Sequence, residues 1–320
     1  MKNRFTIIGI FTFAIFHLPS AMAQQSEYSR VKIYADAKGL AELAQAGVCI
    51  DHGDFKRNVY FTSDFSAQEI NIIKKKGYKY DILIPDVQQF YKDQNDPSSN
   101  KYVPVPKPLT HGCNGAKVYP TPSNFSLGSM GGYFTYAEIQ SKLDSMAILF
   151  PNLVKAKAPL DSLSNEGRPV YWLKISDNPN VDENEPEILY TAVHHAREPN
   201  SVSQLIMYMY YLLENYNSNA EVKYLVDNLE MYFVPVVNPD GYIHNETNNP
   251  NGGGMWRKNR RDNLDGEWGV DLNRNYGWNW GLDNTGSSPN TQSDTYRGDS
   301  AFSEAETPDF CELVLSIKNE

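Results

Sequence analysis

The sequence predicts an α/β protein built on a mixed, largely parallel sheet with helices on both faces, preceded by a small α+β unit of the ferredoxin-like kind. Three observations carry that prediction. From about residue 128 onward, strand-like and helix-like stretches alternate, the pattern of a sheet covered on both sides. Residues 28–90 fall into two shorter β-α-β halves. Between these regions, residues 93–124 lose periodicity and collect Pro, Ser and Asn. The composition suits a globular chain: of 320 residues, 41% are hydrophobic and 21% charged. A formal net charge of -10 is repelled by phosphate backbones, which argues against nucleic-acid binding. Three cysteines are too few for a disulfide-dense miniprotein.

The N-terminus reads as an export signal over residues 1–23. Lys2 and Arg4 form a basic start, Phe5 to Phe16 is an apolar run, and Ala21-Met22-Ala23 gives a small-x-small cleavage pattern. The apolar run of about 12 residues is too short to cross a bilayer, which takes about 20. No later stretch is long enough, so no membrane span is expected after signal removal. Cleavage after Ala23 leaves Gln24 first, in the periplasm or outside the cell. Disulfides are permitted there, but Cys49, Cys113 and Cys311 are an odd number, so at least one is unpaired or pairs outside this chain.

Residues 24–92 read as the small α+β domain. Val31 to Tyr34 alternates like a half-buried strand, and Leu40, Leu43 and Ala44 recur at helical spacing up to Gly47. Val59 to Phe61 is a second strand. Ser66 and Glu69 form a capping box that opens a helix through Ile70, Ile72 and Ile73, which Gly77 stops. Tyr80 to Ile84 is a further strand. The linker, 93–124, contains Asp96-Pro97-Ser98-Ser99-Asn100 and Pro104-Val105-Pro106-Lys107-Pro108, an exposed composition that proteases favour.

Residues 125–320 form the larger domain. Tyr136 to Phe150 reads as a helix with Ile139, Leu143, Met146 and Leu149 on one face. Tyr171 to Ile175 and Ile188 to Val193 are strands, Ser201 to Asn215 is a strongly apolar helix, and Met231 to Val237 is another apolar strand. Ligands on such folds gather at the carboxyl ends of strands, so the residues after Val193 and Val237 are the candidates for chemistry.

His194-His195-Ala196-Arg197-Glu198 follows the first of those strands. His195 and Glu198 are three apart, so one turn brings imidazole and carboxylate to a single ion, a combination Zn²⁺ accepts. Asn238-Pro239-Asp240-Gly241 follows the second and reads as a turn. Met255-Trp256-Arg257-Lys258-Asn259-Arg260 supplies an arginine for a developing oxyanion, although Trp-Arg-Lys also suits a solvated charge cluster. Gly269-Val270-Asp271-Leu272-Asn273-Arg274-Asn275 supplies an Asn-Arg pair suited to a carboxylate. Asp271 is placed to orient a metal-bound imidazole.

In this order and spacing the four segments resemble the zinc carboxypeptidases of the carboxypeptidase A, B and T kind, over roughly residues 125–320. The resemblance implies a carboxypeptidase-like fold and one Zn²⁺ ion, with His195 and Glu198 as metal ligands. It implies that Arg257 polarises the scissile carbonyl as a catalytic group, and that Arg197, Asn273 and Arg274 bind substrate. Tyr296-Arg297-Gly298 through Ala301-Phe302-Ser303-Glu304 resembles the family's segment before its last ligand strand. The activity implied is removal of C-terminal residues from a peptide or protein with a free terminal carboxylate, by an exported precursor whose residues 24–92 are an inhibitory prosegment. Alternatives are a relative that cleaves peptidoglycan peptides, or a non-catalytic peptide-binding protein with an incomplete metal site. The oligomeric state is not written in the sequence.

The family's third metal ligand is a histidine roughly 125 residues beyond the first motif, followed by a catalytic glutamate. The six histidines here are His17, His52, His111, His194, His195 and His244, so neither group has a matching position. The expectation is a C-terminally truncated domain, inactive alone, with weak metal retention and the missing histidine within about ten residues after Glu320. Strong zinc retention with turnover would require His52, His111 or His244 as the third ligand.

Overall fold

A computed structural model describes residues 28–95 and 119–319. The predicted signal, most of the predicted linker, His111 and Cys113 lie outside the described residues. The N-terminal unit runs β1 (Tyr28–Tyr34), α1 (Ala37–Gln45), β2 (Asp54–Lys56), β3 (Tyr60–Ser66), α2 (Ala67–Lys75), β4 (Lys79–Ile84) and α3 (Val87–Asn95). Its sheet has the order β2-β3-β1-β4, with every pairing antiparallel. Val31 and Ile33 of β1 alternate inward to meet Phe61 and Phe65 of β3, Leu43 of α1 and Ile73 of α2, the face that gives this small unit its own core. The Ser66–Glu69 capping box opens α2 as the sequence indicated. The short exposed β2 had no sequence signal, since all three of its side chains face solvent.

The second region runs α4 (Tyr136–Leu149), β5 (Val154–Leu163), β6 (Pro169–Ile175), β7 (Glu187–Thr191), α5 (Pro199–Asn215), α6 (Ala220–Val226), β8 (Glu230–Val234), α7 (Pro239–Asn248), a 3-10 turn at Leu272–Arg274 and α8 (Glu306–Asn319). The four strands are ordered β5-β6-β8-β7. Period-two alternation divides their side chains between two layers. Leu173, Ile175, Met231 and Phe233 pack with α4 and α5 through Ile139, Leu143, Met146, Val202, Ile206 and Met209. Val170, Trp172 and Val234 face the other way, onto Leu272 and the α8 residues Phe310 and Leu313. Helices therefore cover both faces, as the sequence predicts.

The sheet corrects the expectation of a largely parallel one. Among the described strands only β7 and β8 run parallel, while β5–β6 and β6–β8 are antiparallel. The reason lies at residues 164–168. Gly167 adopts φ +81° in a tight return, Ser164 N–H donates to Arg168 O at 2.8 Å, and β5 folds straight back onto β6. β5 was easy to miss in the sequence because alanines fill most apolar positions of its Val154–Ala158 alternation and Pro159 then breaks it.

Candidate active site

The site forms where the one parallel pair ends. Beyond β7 and β8 the two chains stay side by side, Val237 N–H reaching Ala192 O at 3.1 Å and Asn238 N–H reaching Val193 O at 3.0 Å. Val193 sits at φ +53°, a left-handed conformation costly for a β-branched residue, and the bend swings His194 and His195 across the strand ends. Asn238 then corrects the turn reading of Asn-Pro-Asp-Gly. Its carboxamide oxygen caps Gly241 N–H at 2.9 Å, Pro239 takes the first helical position, and α7 follows. The same fully buried carboxamide donates to His194 O at 3.3 Å, so one residue starts a helix and braces the histidine segment. Gly241 is required here, since a Cβ would lie 2.5 Å from Lys258 O and 2.8 Å from the Ala196 methyl.

His195 is buried, with its two nitrogens facing different carboxylates. Nδ1 lies 2.9 Å from Glu198 Oε1, and Nε2 lies 3.1 Å from Asp271 Oδ1. Glu198 is open to a cavity of about 470 Å³ that Ala196, Arg197, Met255 and His52 also line. The atoms fit a metal: Nδ1 and a carboxylate oxygen converge toward one point while the far nitrogen is anchored from behind, the usual support of a ligating histidine. Burial alone would hold the His195 imidazole down, but its hydrogen bonds with Asp271 and Glu198 raise it. For Glu198, burial pushes upward and the His195 contact more than offsets it, leaving the carboxyl lowered. His194 lies off this axis, its Nε2 3.0 Å from the Tyr276 hydroxyl, and burial holds it down to about 4. Among the described residues, no third His, Cys, Asp or Glu clusters with the His195–Glu198 pair. His52 faces the same cavity but groups with Cys49 and Asp51, and His244 stands apart against Trp256.

The arginines complete the picture. Arg257 is 1% exposed and Lys258 5%, so this segment is an internal cluster, against the solvated reading. Arg257 donates from Nε and Nη2 to Asp271 Oδ2 at 3.0 and 2.8 Å, while its buried Nη1 has no hydrogen-bond partner. Asp271 thus joins the histidine on one oxygen and the arginine on the other. Burial would raise its carboxyl, but Arg257 and then His195 hold it well below the ordinary range. Arg274, on the 3-10 turn, donates Nε to Gly286 O at 2.6 Å, and neighbouring Asn273 is exposed with its backbone N–H on Asp271 Oδ1. Arg197 is drawn to Asp294, 3.1 Å from Nη1, beneath the Tyr28 ring of β1.

One residue that sequence reasoning missed draws this end together. Asp51, in the N-terminal unit, accepts on Oδ2 from Arg257 Nη2 and Arg274 Nη2, both at 2.8 Å. Burial works against its charge, yet the His52 hydrogen bond and Arg257 keep the carboxyl well below its usual value. Nothing local signalled it, because its partners lie more than two hundred residues downstream.

Known proteins resemble this chain in sequence and in fold. The family model described as zinc carboxypeptidase matches residues 139–320. Carboxypeptidase A2 of Mus musculus is 30% identical over 254 residues, covering 78% of this chain and 54% of its own. A zinc carboxypeptidase of Saccharothrix mutabilis subsp. capreolus is 39% identical over 150 residues, covering 47% of this chain and 33% of its own. The solved carboxypeptidase A from Helicoverpa armigera superposes with a TM-score of 0.68 at 25% identity, covering 92% of this chain and 68% of that one. The chain thus spans between a third and somewhat over half of the length of these two curated relatives.

Proposed function

Because the chain belongs to the zinc carboxypeptidase family, we propose that it is a metallocarboxypeptidase precursor, exported by the signal at 1–23 and held latent by residues 24–92. The observation that carries this reading is the Asp51 carboxylate resting between Arg257 and Arg274. Two guanidiniums from different segments converge on one carboxylate oxygen, which is what capture of a peptide's C-terminal carboxylate demands. Asp51 supplies that carboxylate from within the chain, so substrate is kept out while the N-terminal unit stays docked.

His195 and Glu198 would hold the metal, with Asp271 fixing the imidazole. A single Zn²⁺ bound there supplies Lewis-acid activation of water and carbonyl. The remaining tasks fall to this chain's own side chains. Arg274, with Asn273 beside it, grips the terminal carboxylate and makes the reaction exopeptidic. Arg257 keeps its buried Nη1 amino group unpartnered, a preorganised donor for the oxygen of the scissile carbonyl as charge develops on it. Such a donor is worth about 3–4 kcal/mol in comparable sites. Arg197, locked to Asp294, supports the cavity wall beside Glu198.

Peptide binding tests the reading directly. Asp51→Asn should unmask affinity for peptides with a free C-terminus and leave amidated peptides unbound, while the parent protein binds neither. In an enzyme with its full ligand set, Arg274→Ala should cost about 2–4 kcal/mol in kcat/KM on free carboxylates. Equal treatment of acid and amide peptides by Asp51→Asn would defeat the carboxylate assignment.

A further inference from the structure

The loop between α1 and β2 carries ligating groups of its own. Cys49 is buried, and its backbone N–H is pinned to Glu69 Oε1 at 2.8 Å. Gly53 ends the loop so close to β3 that a Cβ would lie 2.5 Å from Thr62 O, which fixes the backbone between these two points. Within it, Asp51 Oδ1 lies 2.9 Å from Cys49 Sγ and 2.5 Å from His52 Nδ1. One ligand atom from each of Cys49, Asp51 and His52 falls within 4.8 Å of the other two. A tetrahedral zinc ion with bonds of about 2.0–2.3 Å sets its ligand atoms roughly 3.3–3.7 Å apart, so a small opening of these contacts admits it.

We propose that Cys49, Asp51 and His52 form a binding site for a zinc-like divalent cation, distinct from the His195–Glu198 pair. Thiolate, carboxylate and imidazole together suit zinc and discriminate against calcium and magnesium, which take oxygen ligands. The His52 side chain is 47% exposed and lines the cavity, which leaves an entry path and a fourth position for water. Arg257 and Arg274 leave Oδ1 free because they occupy Oδ2, and the repulsion between their charges and the ion is what the thiolate and carboxylate must offset. Their hydrogen bonds orient the carboxylate and keep it charged, the support that ligating carboxylates ordinarily receive. Binding releases the Cys49 thiol proton to solvent, and thiolate and carboxylate then balance the two charges of the ion. This inference stands apart from the peptidase reading, since it needs neither His195 nor Glu198.

Cobalt(II) added to the full chain provides the test, because only a sulfur ligand gives a thiolate-to-cobalt charge-transfer band in the near ultraviolet. The band should appear in the parent protein, vanish in Cys49→Ser, and shift or weaken several-fold in the exposed variant His52→Gln. It should survive in Cys311→Ser and in the double variant His195→Ala/Glu198→Gln, which separates this site from the pair beside it. Zinc bound per chain should fall by one ion in Cys49→Ser. Absence of the band in the parent, its loss in Cys311→Ser or in the double variant, or a Cys49 thiol consumed in a disulfide with Cys113 would each overturn the proposal.

Discussion

The two ends of the candidate site are supported in opposite ways. At the histidine end, every partner comes from the same region: His195 leans on Asp271, Asp271 on Arg257, and the backbone around them on Asn238. At the arginine end, the carboxylate shared by Arg257 and Arg274 is borrowed from the N-terminal unit. The first arrangement is made within one region and needs nothing from the N-terminal unit. The second is an occupancy, and its removal exposes two guanidiniums without dismantling the segments that carry them. The proposed latency rests on this difference: a pair built into one region, and a carboxylate lent to two arginines by the other.

The largest expected effect is therefore on Asp271. Asp271→Ala strands a buried guanidinium and removes the brace behind His195, and breaking a buried pair in this way costs about 3–5 kcal/mol. Urea unfolding should show that loss, and a zinc titration should show affinity falling by about 10–100-fold. A variant that keeps its stability and metal affinity would mean the histidine end is not held as the distances indicate.

Asp51→Asn should cost less, about 1.5–3 kcal/mol, the worth of a hydrogen bond to a charged group. Arg257 keeps Asp271 in that variant, and Arg274 keeps Gly286 O. The pH dependence follows from the lowered carboxyl. A group whose folded-state value is depressed contributes above its unfolded value, about 3.9, and loses that contribution as pH falls through the folded one. The stability difference between parent and Asp51→Asn should stay level from about pH 8 to pH 5 and shrink only below about pH 4. A difference that faded near neutrality would show that Asp51 is not held charged between the arginines.

The same contrast explains what was legible in the sequence. The histidine end is written in short segments whose residue types announce their chemistry, and His195, Glu198, Asp271 and Arg257 could be named before any coordinates. Strongly periodic elements such as α4, α5 and β8 were equally plain. What was hidden depends on distance or on competing local signals. Asp51 meets its partners across more than two hundred residues, so no window contains both. Asn238-Pro239-Asp240-Gly241 satisfies a turn and equally a helix start, with Asn238 as cap and Pro239 in the first position, so residue types alone do not separate the two. Arg197 lines the cavity beside Glu198, and its partner Asp294 lies 97 residues along the chain, beyond any local window.

A smaller contrast sharpens the point, because the two regions open a helix with the same device in opposite electrostatic settings. Ser66 with Glu69 caps α2, and Thr135 with Glu138 caps α4. Glu69 is buried where the two regions meet, and burial, then the Asp294 charge, raise its carboxyl despite backbone hydrogen bonds from Cys49 and Ser66. For Glu138 burial also pushes upward, but the N–H groups of Thr135 and Ser129 more than offset it and leave the carboxyl lowered. The signs of linkage are therefore opposite. The contribution of Glu138 is present above its unfolded value, about 4.3, and disappears as pH falls through the folded one. Glu69 carries a penalty that grows as pH rises from about 4.3 toward its raised folded value, because the unfolded chain ionises first. Losing a cap of this kind costs typically about 1 kcal/mol, so both Glu→Gln variants should destabilise modestly. Urea midpoints measured from pH 4 to pH 8 should show the cost of Glu138→Gln rising with pH to a plateau, and that of Glu69→Gln falling. Parallel trends would mean that Glu69 is solvated, and that the two regions do not meet over α2 as closely as the influence of the Asp294 charge requires.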